Sequence, residues 1–183
     1  MTVELGAEPG DLPEASTATV DFLVVGSGAP SFGKVESSIS LVRDGPALIM
    51  IDPGMVSDRR KILDPLEKLS VDPRDVTDIV LSHHHPDHTL NAALFPNARV
   101  HDVWAIYHND TWTWRAVEGA LLTPSVRLIA TPGHSPEDIT TLVGTADGVY
   151  AFTRHSMLVD GAEGKWSGAR DLNPGPHGPE PSQ

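Results

Sequence analysis

Within Ser82-His83-His84-His85-Pro86-Asp87-His88, the pattern His83-x-His85-x-Asp87-His88 places four groups able to bind a metal or move a proton within six residues. His83 and His85 are two apart, and on an extended segment residues two apart face the same side. Two imidazoles so placed can hold one metal ion. Pro86 fixes its own backbone and biases His85 towards extended geometry. Asp87 and His88 then leave the turn in another direction, so they can hold a second ion. Imidazole and carboxylate donors suit zinc, and iron or manganese also fits. An accidental histidine cluster on a polar loop is the plain alternative. The residues before the motif separate the two readings. Asp78-Ile79-Val80-Leu81 is a short apolar run that reads as a buried strand ending at a loop, and the sites of α/β proteins gather where strands end.

The elements that must position these groups follow the hydrophobic pattern. Residues 1–19 are polar and proline-bearing and read as a disordered leader. Residues 20–25 form a strand candidate broken by Gly26-Ser27-Gly28, a glycine pair better suited to a turn than to a phosphate. Residues 38–42 and 47–51 flank the turn signal Asp44-Gly45 and predict a hairpin, with Asp52 at its end. Ile62, Leu63, Leu66 and Leu69 share one helical face within residues 58–69. Residues 89–94 suit a short helix stopped by Pro96, with Asp87 able to cap it. Strands are expected at residues 98–101, 126–130, 139–143 and 149–152. Strand-rich ends around a helix–strand alternation predict two sheets packed face to face with helices outside. From residue 160 onward Gly, Pro and charge dominate, which reads as a disordered tail. The expected organisation is therefore a leader at 1–19, one domain at 20–159 and a tail at 160–183.

Composition bounds the function. A chain of 183 residues suits one domain, and its 39% apolar content is low enough to fit unfolded ends on an ordinary core. A formal net charge of −12 gives no general attraction to phosphates, which disfavours simple nucleic-acid binding. There are no cysteines, so disulfides and thiolate zinc sites are excluded. No secretory signal or membrane-length apolar run is visible, and the default expectation is a soluble cytoplasmic protein. Oligomeric state is not readable from this sequence.

Three segments in order resemble the metallo-β-lactamase-fold hydrolases. His83-x-His85-x-Asp87-His88 is similar to that family's signature. Thr131-Pro132-Gly133-His134-Ser135 is similar to a later segment that supplies a further ligand, and Ile49-Met50-Ile51-Asp52-Pro53-Gly54 resembles the strand and Asp-x-Gly turn that precede both. The resemblance spans about residues 22–152. The run Asn91-Ala92-Ala93-Leu94-Phe95-Pro96-Asn97-Ala98, with Pro132-Gly133-His134, most resembles one branch of the family. The family resemblance implies an αββα sandwich with the site along one edge, and makes His134 the third imidazole beside His83 and His85. Three nitrogens leave one tetrahedral position for water, whose pKa zinc lowers to about 7. Hydroxide would then attack a carbonyl or phosphoryl centre, with Asp87 orienting it and shuttling its proton, or binding a second ion with His88. Asp52 reads equally as a strand-ending turn residue and as a carboxylate holding a ligand histidine. His84 alternates with the ligands and should face away from the metal.

The sequence departs from the family in two places. Where the resemblance calls for a carboxylate bridging two metals, the chain has Thr153-Arg154-His155-Ser156. His155 can bind one ion but has no second lone pair with which to bridge. Family members also continue to a Pro-Gly-His-Gly turn, and Pro174-Gly175-Pro176-His177-Gly178-Pro179 is only similar. The expected fold is thus an αββα sandwich with shortened C-terminal elements. His101, Trp104, Tyr107, His108, Trp112 and Trp114 form an aromatic patch. Trp104 suits the core, whereas Trp112 and Trp114 suit either a loop over the site or plain packing.

The expected function is a zinc-dependent hydrolase of an ester, thioester or related small substrate, similar to hydroxyacylglutathione hydrolases. One tight zinc site is expected at His83, His85 and His134. A weaker one would use Asp87, His88 and His155. A metal-dependent RNA endonuclease is the second reading, and a metal-binding protein without catalysis the third.

Overall fold

The computed structural model describes residues 12–28, 35–153 and 156–160, with the side chains of residues 27–28 and 156–160 excepted. Strand β1 (Thr19–Val24) is followed by the short pair β2 (Ser27–Gly28) and β3 (Val35–Glu36), then by the hairpin β4 (Ile39–Asp44) and β5 (Ala47–Ile51). Gly45 takes φ 57° in the tight turn, a region open to glycine without steric penalty. Helix α1 (Arg60–Lys68) leads to β6 (Asp78–Val80). The four-residue helix α2 (Pro86–Thr89) leads to β7 (Arg99–His101), which continues into the hairpin β8 (Ala105–His108) and β9 (Thr111–Trp114). Strands β10 (Ala120–Thr123), β11 (Val126–Ala130), β12 (Ile139–Thr145), β13 (Gly148–Thr153) and β14 (Ser156–Asp160) complete the described chain.

The first sheet has the order β1-β4-β5-β6-β7-β8-β9 and the second β10-β11-β12-β13-β14. β6 pairs parallel with both β5 and β7, and the other neighbours in these sheets pair antiparallel. Parallel neighbours need crossovers, which α1 and α2 supply. Both crossovers return over the same sheet, so the loops leaving β5 and β6 emerge side by side at its C-terminal edge.

Alternation along the strands makes two cores. Val42, Ile49, Ile51 and Val80 of the first sheet meet Val126, Leu128, Ile139, Val143 and Phe152 of the second. The opposite faces of β4, β5 and β6 present Leu41, Met50 and Ile79 to Ile62 and Leu66 of α1. The outer face of the second sheet carries a smaller cluster of Ile129, Leu142 and Ala151. Helix, sheet and sheet are therefore stacked as expected for an αββα sandwich. Among the described residues, no helix supplies the fourth layer.

Three expectations differ from the structure. Residues 12–19 were expected to belong to a disordered leader, but Ala15 N–H donates to Pro124 O at 2.9 Å and Thr17 Oγ1 to Asp44 Oδ1 at 2.7 Å. Ala18 is buried and bridges to Thr145. The reason is Gly144, whose missing side chain lets the Ala15 carbonyl lie against β12. Residues 109–115 do not form a loop over the site, because β8 and β9 extend the first sheet as an edge hairpin turning at Asn109, φ 54°. Trp104 is exposed rather than in the core, as are Trp112 and Trp114. The expected domain end at residue 159 falls within β14, and residues 161–183, including His177, lie outside the described residues.

Candidate metal centre

Ser82 ties the two sheets together where β6 ends. Its N–H donates to Asp52 Oδ1 at 2.8 Å, and its carbonyl accepts from Ile139 N–H of the second sheet at 2.9 Å. Asp52 leaves β5 at φ 49° and donates its own N–H to Val80 O at 3.0 Å. The chain from Ser82 is thus fixed before the histidines begin. His83 is buried and His85 exposed. His85 has φ −67° and ψ 145° at the N-terminal boundary of α2, and Pro86 follows in the first turn. That geometry is the extended conformation a following proline imposes. α2 then buries Asp87 and His88.

The third imidazole comes from the connection between β11 and β12. Asp138 Oδ2 accepts the N–H groups of His134 and Ser135 at 2.7 and 3.0 Å, and Asp138 O accepts Thr131 N–H at 2.9 Å. This turn sets His134 against the β6–α2 loop. One ligand atom from each of His83, His85 and His134 lies within 4.8 Å of the others. His134 Nε2 is 3.1 Å from His85 Nδ1. Tetrahedral zinc with Zn–N bonds of about 2.0–2.1 Å places its ligand nitrogens about 3.4 Å apart. The three imidazoles fit one such ion with small side-chain adjustments. Burial first, and the charge of His88 second, push His83 down to about 3, so its imidazole is neutral at neutral pH and its lone pair is available.

Asp87 and His88 form a second group beside the first. The His88 and His83 ring centroids are 4.1 Å apart. His88 Nδ1 lies 2.9 Å from Asp52 Oδ2, and Nε2 lies 3.3 Å from Asp87 Oδ2. Burial opposes a charge on His88, but Asp52 and then Asp87 outweigh it and raise its pKa to about 10. A metal entering between His88 Nε2 and Asp87 must therefore displace a proton. Asp52 fills both roles its sequence context allowed, as a turn residue and as the partner of a histidine. His155 lies outside the described residues. His84 faces away from the cluster, with Nε2 3.1 Å from Asp102 Oδ2 and its ring stacked on Trp104.

Sequence reasoning missed the supports. Ser37 Oγ donates to Asp87 O, and Asn91 Nδ2 donates to Gly54 O at 2.9 Å. Gly54 N–H in turn donates to His88 O at 3.1 Å. Ser82, adjacent to the motif, and Asp138, four residues after His134, offered local signals. Ser37 and Asn91 offered none, because their contacts cross 50 and 37 residues of sequence.

Comparison with known proteins agrees with this architecture. The family model described as the metallo-beta-lactamase superfamily matches residues 32–112, which include His83, His85, Asp87 and His88 but not His134. Metallo-beta-lactamase domain-containing protein 1 of Xenopus laevis is 29% identical over 139 residues, covering 73% of this chain and 59% of the relative. The Homo sapiens protein of that name is 33% identical over 141 residues, covering 73% of this chain and 52% of the relative. The chain thus spans little more than half the length of these relatives. Both carry the name of the branch that residues 91–98 resemble. The structure of a putative metallo-beta-lactamase from Thermotoga maritima superposes with a TM-score of 0.64 at 22% identity, covering 75% of this chain and 78% of its own. A quorum-quenching N-acyl homoserine lactone lactonase gives a TM-score of 0.50 at 21% identity, covering 75% of this chain and 68% of its own. At those identities the structures report a shared fold.

Proposed function

We propose, from the premise that the chain belongs to the metallo-β-lactamase superfamily, that it is a zinc-dependent hydrolase of an ester, thioester or related small substrate. The observation that carries the reading is the meeting of His83, His85 and His134, with ligand atoms within 4.8 Å, from loops of two different sheets. A divalent ion held there supplies Lewis-acid chemistry at a carbonyl or phosphoryl oxygen and makes a hydroxide nucleophile available near neutral pH. His83 is the buried donor and enters already neutral. His85 and His134 close the open side. Asp138 fixes the backbone that delivers His134, and Asp52 fixes Ser82 and His88. Asp87 would orient the nucleophile and shuttle its proton: its Oδ2 lies 3.3 Å from Nε2 of the protonated His88, and Asp52 holds the other His88 nitrogen. Asp87 and His88, with His155, are also the donor set proposed for a weaker second ion.

The activity resides in the domain proposed for residues 20–159 and takes place in the cytoplasm. No helix among the described residues is long and apolar enough to cross a membrane. The formal charge of −12 favours a small substrate over RNA. The test compares hydrolysis of ester, thioester, lactone and structured RNA substrates by zinc-loaded and chelator-treated protein. Chelator-sensitive turnover of a small ester or thioester supports the reading. Turnover of RNA alone makes the protein a nuclease. Tight zinc binding without turnover of any substrate makes it a non-catalytic metal binder.

A further inference from the structure

We propose that Asp102 is a positioning residue for the metal-binding loop, acting through His84, which it anchors on the opposite side of the chain from His83 and His85. The inference rests on the reading of His83, His85 and His134 as a metal site. Asp102 follows β7 and is 2% exposed. Its Oδ1 accepts the N–H groups of Trp104 and Ala105, both at 2.8 Å, which closes the turn into β8. Oδ2 accepts from Tyr107 Oη at 2.7 Å and from His84 Nε2 at 3.1 Å. The Asp102 carbonyl accepts from Arg115 Nη2 at 2.8 Å. The turn needs only Oδ1. Oδ2 reaches across 18 residues of sequence to the middle of the histidine motif.

His84 is held in two ways. Asp102 fixes one ring nitrogen, and Trp104 stacks on the ring with centroids 5.1 Å apart and planes 23° from parallel. Backbone hydrogen bonds tie the loop at Ser82, through Asp52 and Ile139, and again at His85, whose carbonyl accepts His88 N–H at 3.0 Å. His84 lies between those ties. Residues 82–84 bend after β6 and have no strand ladder of their own, so fixing the His84 side chain restricts rotation of the two peptide groups that carry His83 and His85. Holding His84 outward therefore restrains His83 and His85 in their inward positions. It lowers the ordering that a metal would otherwise have to impose on the ligands. The anchor belongs to the first sheet, so it makes the loop part of the rigid scaffold.

The test titrates the full-length, metal-free protein with Zn2+ by calorimetry, with melting temperature measured alongside. His84→Ala is expected to weaken zinc binding about 10-fold, the lower end for residues that orient ligands indirectly. Asp102→Asn keeps an oxygen for the Trp104 and Ala105 N–H groups but presents an amide to His84. It should weaken binding by a similar factor. The double variant should bind no more weakly than either single one, because both remove the same restraint. His84→Gln, which retains a donor for Asp102, should recover much of the affinity. Tyr107→Phe breaks another bond to the same carboxylate and should lower the melting temperature while leaving zinc affinity at the wild-type value. Wild-type affinity in His84→Ala, or losses that multiply in the double variant, would overturn the proposal. If Asp102→Asn does not fold, the two His84 variants decide it. Wild-type protein that binds no zinc overturns the metal-site reading itself, an outcome distinct from a bound metal indifferent to His84.

Discussion

Asp78 opens β6, the strand whose far end carries the histidine loop, and its side chain is only 3% exposed. His101 Nε2 on β7 lies 2.7 Å from Oδ1, and Arg99 donates to Oδ1 and Oδ2 at 2.8 and 3.0 Å. Burial raises the carboxyl pKa, but hydrogen bonds from His101 and Arg99 outweigh it and bring it from 3.8 to about 2. At about 1.4 kcal/mol per pH unit, that difference corresponds to about 2 kcal/mol of stability. The folded pKa lies below the unfolded one, so this contribution is fully present above about pH 4 and is lost as pH falls through 2. Asp78→Asn keeps the shape and one acceptor while removing the charge. It should destabilise the metal-free protein by about 2 kcal/mol at pH 7, and the gap to wild type should close by pH 2. Urea unfolding with chelator present, followed by tryptophan fluorescence at several pH values, measures this gap. Carboxylates that titrate alike in both proteins cancel in the difference. A gap that stays constant down to pH 2, or one below about 0.5 kcal/mol at pH 7, would refute the reasoning.

His85→Ala removes one of three imidazoles, and metal retained after gel filtration should fall well below the wild-type content by elemental analysis. Unchanged content would remove the central reading. Gly54→Ala places a methyl group against Ile39 Cδ1 at a position with φ 76°. A loss of about 1–3 kcal/mol in urea unfolding is expected; a melting temperature equal to wild type would contradict the strain argument. Deleting residues 161–183, which lack apolar periodicity, should leave melting temperature and zinc affinity near wild type. A large drop in zinc affinity would instead bring His177 back as a ligand.

The sequence by itself determined the elements whose patterns are local. The alternation of residues 38–51 and the helical spacing of Ile62 and Leu66 are fixed by which side each residue must bury, and β4, β5 and α1 follow them closely. The His83 and His85 pair was legible because a spacing of two is a local pattern, although the chain bends at residues 82–84 instead of staying extended as that spacing suggested. Trp112 and Trp114 suited either a loop over the site or plain packing, and local sequence could not choose. Pairing with β8 instead places them on an exposed edge strand, and such pairing is a property of two segments together. Packing of residues 12–18 was hidden likewise, because it depends on the space left by Gly144, more than 120 residues away. Only the tertiary structure decided that Asp52 reaches His88, that Ile139 pins Ser82, and that Asp102 holds His84. Each of these is a directed hydrogen bond or ion pair, with a tolerance of a few tenths of an ångström, between strands distant in sequence. Periodicity tells which face a side chain occupies. It does not tell which donor will stand opposite it once the sheets have packed.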